Sequence, residues 1–317
     1  MTIPASREIR IPLGRLTLAA KAWGDPDDPP MLALHGWLDN AGSFDRLAPL
    51  LEGRHIIALD LAGHGRSDHR ASGNWYPYVD FLDELREVQD FFGWSSIDLL
   101  GHSLGATLAS VYAAAFPDKV GRLLLIEGLG PLSIAVDKTL EQMRRSLLAR
   151  ASFTGAGLRL FADLDEAIEA RQRAGMLSRE AARCIVERGV LAVEDPHDPR
   201  IERSTAIDDA RTDTASAHDG GGAPARLSWS SDPQLTLPSP SRLTEEQIGS
   251  ILSGIAAATL LVLAEPEAPY LPRTVMQARI ARVKGIEVVR LSGTHHLHLE
   301  DAPAVAAAMR SFLGRRP

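Results

Sequence analysis

Short runs in which nearly every residue is apolar alternate along this chain with longer stretches whose apolar residues recur every three or four positions. Residues 7 to 12 and 15 to 23 read as two strands joined by a tight turn at Leu13-Gly14. Further strand-like runs lie at Met31 to Leu34, Ile56 to Leu59, Ile97 to Leu100 and Leu123 to Ile126. Between them, Val79, Leu82, Leu85, Val88, Phe91 and Phe92 fall at helical spacing, and Leu104 to Phe116 is a helix-like run ended by Pro117. Strands that are apolar on both faces belong to a parallel sheet covered by helices on both sides, so the predicted fold class is α/β with a mostly parallel central sheet.

The rhythm then breaks. Residues 133 to about 250 carry helical segments at Lys138 to Arg150, Asp163 to Ala174 and Ser178 to Val190, with no buried-strand pattern. Residues 196 to 224 are rich in Asp, Arg, Ser, Thr and Ala and end in Gly220-Gly221-Gly222, which predicts a mobile loop near 200–224. A helix is expected near Thr244, with Glu246 and Gln247 in its first turn. The α/β rhythm returns with strands at Thr259 to Leu263 and Ile286 to Leu291, and helices at Thr274 to Arg282 and Pro303 to Leu313. The expected organisation is a core of residues 1–132 and 251–317 with a helical cap, 133–250, inserted after the C-terminal end of a strand. In open α/β sheets that edge binds ligands.

Composition narrows the class. The 317 residues are 45% apolar and 24% charged, as in ordinary globular proteins. A net charge of −7 and the lack of a basic stripe argue against a nucleic-acid partner. No apolar run approaches the length of a membrane span, and the N-terminus lacks a signal-peptide core. A single cysteine, Cys184, excludes an intrachain disulfide and suits a reducing, cytoplasmic setting. Its helical surroundings read as those of a small structural residue. Oligomeric state is left open.

The candidate chemistry centres on Gly101-His102-Ser103-Leu104-Gly105, a G-x-S-x-G motif between a predicted strand and a predicted helix. A nucleophile elbow needs that setting: the glycines permit a sharp turn and close backbone approach, leaving the serine strained and exposed. A serine hydroxyl requires a base. Three histidines cluster in Gly293-Thr294-His295-His296-Leu297-His298, directly after the last strand. No carboxylate or thiol with ligand spacing accompanies them, so no metal is expected there. Trp37, in the loop after the strand Met31 to Leu34, and Leu104, just after the serine, can supply backbone N–H groups to an oxyanion hole. His35 reads as a brace for that loop.

Taken together, His35-Gly36-Trp37, the run Asp60-Leu61-Ala62-Gly63-His64-Gly65-Arg66-Ser67, the elbow, and the ending Gly293 to Glu300 resemble the α/β-hydrolases over residues 1–135 and 250–317. The stretch Leu125 to Pro131 and the ending His295 to Glu300 most resemble the serine hydrolase-like, esterase-like branch. The resemblance implies that the base is the first histidine of the cluster, His295, and that residues 60–67 shape the core without a catalytic role. It also implies acyl transfer, since dehalogenase and epoxide hydrolase relatives carry Asp at the position of Ser103. The triad acid stays open between Glu127, at the end of the strand before the cap, and Glu267, where the usual Gly is missing. Glu127 is favoured because a charge abutting a buried strand needs a partner. The implied activity is cleavage of a small-molecule carboxylic ester through an acyl-enzyme, with no cofactor. Amide or C–C bond hydrolysis by the same triad, and a non-catalytic binding protein on this scaffold, are the alternatives.

Overall fold

A computed structural model of the chain describes residues 6–153, 159–193, 226–266 and 272–315. The N-terminal hairpin pairs β1 (Arg7–Pro12) antiparallel with β2 (Thr17–Trp23). The parallel strands follow as β3 (Pro30–Leu34), β4 (His55–Leu59), β5 (Ile97–His102) and β6 (Val120–Ile126), with helices α1 (Tyr78–Phe91) and α2 (Leu104–Ala115) between them. After the insert, α6 (Glu245–Leu252) leads to β10 (Ala258–Glu265), α7 (Arg273–Ile280), β11 (Glu287–Ser292), the single turn α8 (Leu297–Glu300) and α9 (Ala302–Leu313). The eight strands lie in the order β1-β2-β4-β3-β5-β6-β10-β11, and every pair from β4 to β11 is parallel. This is the mostly parallel, doubly covered sheet that the patterning predicts.

The core obeys the two-residue period of a strand. Leu32 and Leu34 of β3, Ile57 and Leu59 of β4, and Leu123 and Leu125 of β6 face one apolar cluster, shared with α1, α2 and α6. Their neighbours Met31, Ala33, Ile56, Ala58, Leu124 and Ile126 face the other, closed by α9 and the Phe44–Leu51 segment. Ile248 and Leu252 of α6 are buried in the first cluster, so this helix packs against the core. Thr244 and Gln247 cap α6 reciprocally, side chain to backbone N–H in both directions.

Between β6 and β10 the chain forms α3 (Thr139–Ala151), α4 (Leu164–Gly175) and α5 (Arg179–Gly189), close to the expected helices. The insert is not purely helical, however. β7 (Leu160–Phe161), β8 (Val190–Val193) and β9 (Arg226–Trp229) make a small antiparallel sheet in the order β7-β9-β8. The loop expected near 200–224 lies outside the described residues. Arg188 ties the insert to the core: its Nε donates to both oxygens of fully buried Asp60 at 2.9 Å, and its Nη1 reaches Glu8. Asp60 also accepts from the amides of Ala41 and Arg66, which gives the 60–67 turn a structural role. Among the described residues no helix is long and apolar enough to cross a membrane.

Candidate active site

Strand order reverses between β3 and β5: later strands are added beside β5, while β4, β2 and β1 extend from β3. The loops leaving the C-terminal ends of β3, β5 and β6 meet at this switch point. Non-glycine residues with positive φ concentrate there: Leu38 (59°), Ser103 (52°) and Glu127 (52°). Such geometry costs about 1–3 kcal/mol per residue and persists only where neighbours enforce it. The neighbours are specific. The Ser103 amide donates to Ile126 O at 3.0 Å, Gly105 N to His35 O at 3.0 Å, and Glu127 N to Val262 O at 2.9 Å.

The two glycines of the elbow have steric causes. A Cβ on Gly105 would collide with the Leu34 carbonyl, and one on Gly101 with the backbone of Gly105. With both positions bare, β5 turns directly into α2 and presents half-buried Ser103 at the helix N-terminus. Helix N-termini favour negative charge through their unpaired N–H groups. Trp37 and Leu104 line the same cavity as Ser103, and neither backbone amide is engaged by another described group.

His295 lies in the turn between β11 and α8. Its Nδ1 is 3.2 Å from Oε2 of Glu127, whose other oxygen accepts from Ala264 N at 2.6 Å. Glu127 is 3% exposed, at the end of β6, with its carboxylate between β10 and the histidine turn. Ser103, His295 and Glu127 line one cavity of about 570 Å³, together with Trp37 and Leu104. The structure therefore brings together five of the residues singled out in the sequence. Glu267 lies outside the described residues. His35 sits beneath the site as a neutral brace: Nδ1 donates to Gly36 O at 2.7 Å, and Nε2 accepts from Leu61 N at 3.0 Å. Burial pushes its pKa down to about 4. Cys184, on α5, donates to Glu180 O, and burial pushes its thiol up to about 11, far from nucleophilic use.

Behind His295 lies a buried polar cluster that the linear motifs do not reveal. His102, the variable residue of the elbow, has Nε2 at 2.9 Å from the carbonyl of His295. That acceptor requires an N–H on Nε2. Its Nδ1 is 3.8 Å from Oδ2 of Asp39, and His296 Nε2 is 3.3 Å from the same oxygen. Arg171 of α4 holds the other Asp39 oxygen. Burial opposes ionisation of Asp39, but Arg171 and the imidazoles of His296 and His102 outweigh it and hold the carboxyl well below its usual range. Burial, then the neighbouring imidazoles, push His102 well below the usual imidazole range. His298 Nε2 contacts Ser43 Oγ at 2.8 Å, and burial lowers it to about 3. The carboxylate that the sequence does not place beside the histidines thus arrives from the β3 loop. Among the described residues, Asp39, His102 and His296 offer ligand atoms within 4.8 Å of one another, a geometry able to take a metal ion. Arg171 already balances the Asp39 charge, and the cluster's evident contact with the site is the His102–His295 backbone bond.

The cavity is lined by Ser103 and the start of α2, by the Glu127–Leu132 segment after β6, and by insert residues of α3 and the 235–243 segment. Trp37 Nε1 donates to Leu235 O at 3.1 Å, and Tyr76 donates its hydroxyl to Asp232 at 2.6 Å. Ser146 and Gln142 of α3 donate to the carbonyls of Pro238 and Ser239, fastening α3 to the 235–243 segment. Apolar side chains dominate the walls.

Comparisons with known proteins agree with this architecture. A family model described as the alpha/beta hydrolase fold matches residues 29–185. A protein of Drosophila melanogaster named a probable serine hydrolase is 31% identical over 96% of this chain and 86% of its own length. A crystal structure of a hypothetical protein from Pseudomonas aeruginosa PAO1 is 38% identical, covers 97% of this chain and 99% of that one, and superposes with a TM-score of 0.83. The thioesterase domain from the curacin biosynthetic pathway is 25% identical with a TM-score of 0.76, over 98% of this chain and all of that domain.

Proposed function

We propose that this chain, which belongs to the α/β-hydrolase family and to its serine hydrolase-like group, cleaves a small to medium carboxylic ester through a Ser103–His295–Glu127 triad. One observation carries the reading: the His295–Glu127 contact of 3.2 Å opens onto the same cavity as the strained elbow serine. Glu127 accepts the Nδ1 proton of His295, which leaves the Nε2 lone pair for the Ser103 hydroxyl. Ser103 Oγ adds to the ester carbonyl as its proton passes to His295. The oxyanion accepts from the amides of Trp37 and Leu104, which need no reorganisation. Collapse expels the alcohol, protonated by His295, and leaves an acyl group on Ser103. Water, deprotonated by His295, then releases the acid.

A cavity of about 570 Å³ with apolar walls suits a ligand of this size. Residues 133–250, read as a cap, set the limit on the acyl or alcohol group. The single cysteine, Cys184, suits a reducing, cytoplasmic address. The test is a panel of p-nitrophenyl esters of increasing acyl length, with anilide and 1,3-diketone analogues, against wild type and Ser103→Ala. Ester turnover that disappears in Ser103→Ala supports the reading. Turnover of the diketone or anilide alone moves the chemistry to C–C or amide bonds, and turnover that survives in Ser103→Ala removes the serine from it.

A further inference from the structure

The wall of the catalytic cavity carries charge mainly of one sign. Glu127 is its one lining carboxylate among the described residues, and that group faces His295. Three arginines line it: Arg145 on α3, Arg242 in the segment before α6, and Arg279 on α7. Arg279 is committed, with Nε and Nη2 on Glu245 and Nη1 on the carbonyls of Leu129 and Gly130. Arg145 and Arg242 have no ion pair or hydrogen bond among the described residues. The nearest acid one turn before Arg145 is Glu141, which pairs with Lys138 instead.

These two guanidinium groups belong to different elements fastened to each other. Gln142 and Ser146, on either side of Arg145 in α3, bond to Ser239 and Pro238, just before Arg242. The fastening joins the two elements that carry these arginines, and both line the cavity that holds Ser103, with apolar lining such as Leu129, Leu237 and Leu243 also present. Both arginines are exposed residues that line the cavity, and on a chain of net charge −7 two solvent-facing cations at a largely apolar cavity are a local inversion of charge. Guanidinium groups present forked N–H donors that match a carboxylate or a phosphate.

We propose that the ester cleaved here bears an anionic group, a carboxylate or a phosphate, at the end remote from the scissile carbonyl, bound by Arg145 and Arg242. An apolar spacer lies between the anion and the ester. The inference rests on the reading of Ser103 as the nucleophile of ester hydrolysis. It adds no chemical step. It assigns the substrate class through binding energy directed at a group that does not react.

The test uses the whole chain and matched pairs of substrates: p-nitrophenyl monoesters of dicarboxylic acids of increasing length, and the same compounds with the remote carboxylate capped as a methyl ester. The wild-type protein turns over the free acid with a kcat/KM several-fold to about tenfold above that of its capped twin at the best length, with the difference in KM. The advantage shrinks in ~0.5 M salt, which screens exposed charges. The double variant R145Q/R242Q brings the acid-to-capped ratio close to one, and the Lys pair restores part of it. A phosphate-ended ester, compared with the carboxylate-ended one, shows which anion the pair prefers. Equal kcat/KM for wild-type twins at every length, or a preference that survives in the double variant, overturns the inference while leaving the esterase reading intact. No turnover of any substrate, with no phosphonate labelling of Ser103, fails the underlying reading instead.

Discussion

The triad proposal makes unequal demands on its residues. His295→Ala is expected to lower kcat by about 10³-fold or more with the fold intact, because triad members act as a unit. Glu127→Gln is expected to lower kcat by a smaller but large factor, since an amide can offer Nδ1 a donor and favour the wrong tautomer. Steady-state kinetics on one activated ester checks both; near-normal Glu127→Gln would transfer the acid role elsewhere. Ser103 was legible in the sequence because an elbow is local: five consecutive residues, a strand before and a helix after. Glu127 was only half legible. Its place beside His295 depends on β6 lying between β5 and β10, and strand order is a property of the whole sheet. Asp39, His102 and Arg171 carried no local signal as a cluster, since their contacts join residues 39, 102, 171 and 296 from two loops, a strand and a helix. Arg145 and Arg242 were equally silent, each a lone cation in a polar stretch.

The strands and helices of the core were readable because each buries a continuous apolar run or face, as in the fully buried β4 and the amphipathic α1. The strands of the insert were not. β7 has two residues and β8 and β9 four each, too few for a two-residue alternation to register. Val190 continued the apolar spacing of α5, so β8 merged with the helix before it. The attachment of insert to core gives a prediction for this level. Arg188 is 5% exposed and Asp60 fully buried, so Arg188→Ala leaves an underpaired buried carboxylate. The loss is expected to be about 3 kcal/mol, read as a fall in the urea midpoint. Asp60 retains the Ala41 and Arg66 amides, which limit the loss. An unchanged midpoint would mean that the insert is held by its other contacts, such as Asn40 Nδ2 on Ile185 O.

For the molecule as a whole, buried neutral histidines set the response to acid. Burial lowers His35 to about 4 and His64 and His298 to about 3, and holds His102 well below its ordinary value. An unfolded histidine takes up a proton near pH 6.5, while these four do so in the fold only at lower pH. Their stabilising contribution is complete above pH 6.5 and is lost as the pH falls through about 4 to 3. Glu84, pushed up to about 7 by burial, works in the opposite sense, as do Asp45 and Asp98, whose carboxyls burial also raises. With the larger histidine shifts dominant, the urea midpoint should fall steadily between pH 6.5 and 4.5. A flat or rising midpoint over that window would show that the buried imidazoles do not govern it. His64→Gln should make the slope shallower.

Ester cleavage by this site requires Ser103 to be an activated nucleophile, and covalent labelling of the intact protein tests that most directly. A fluorophosphonate should add one phosphonyl group per chain, located by peptide mapping on Ser103. Labelling should vanish in Ser103→Ala and slow sharply in His295→Ala. A protein that stays unlabelled while folded, or that carries the adduct on another residue, would contradict the account.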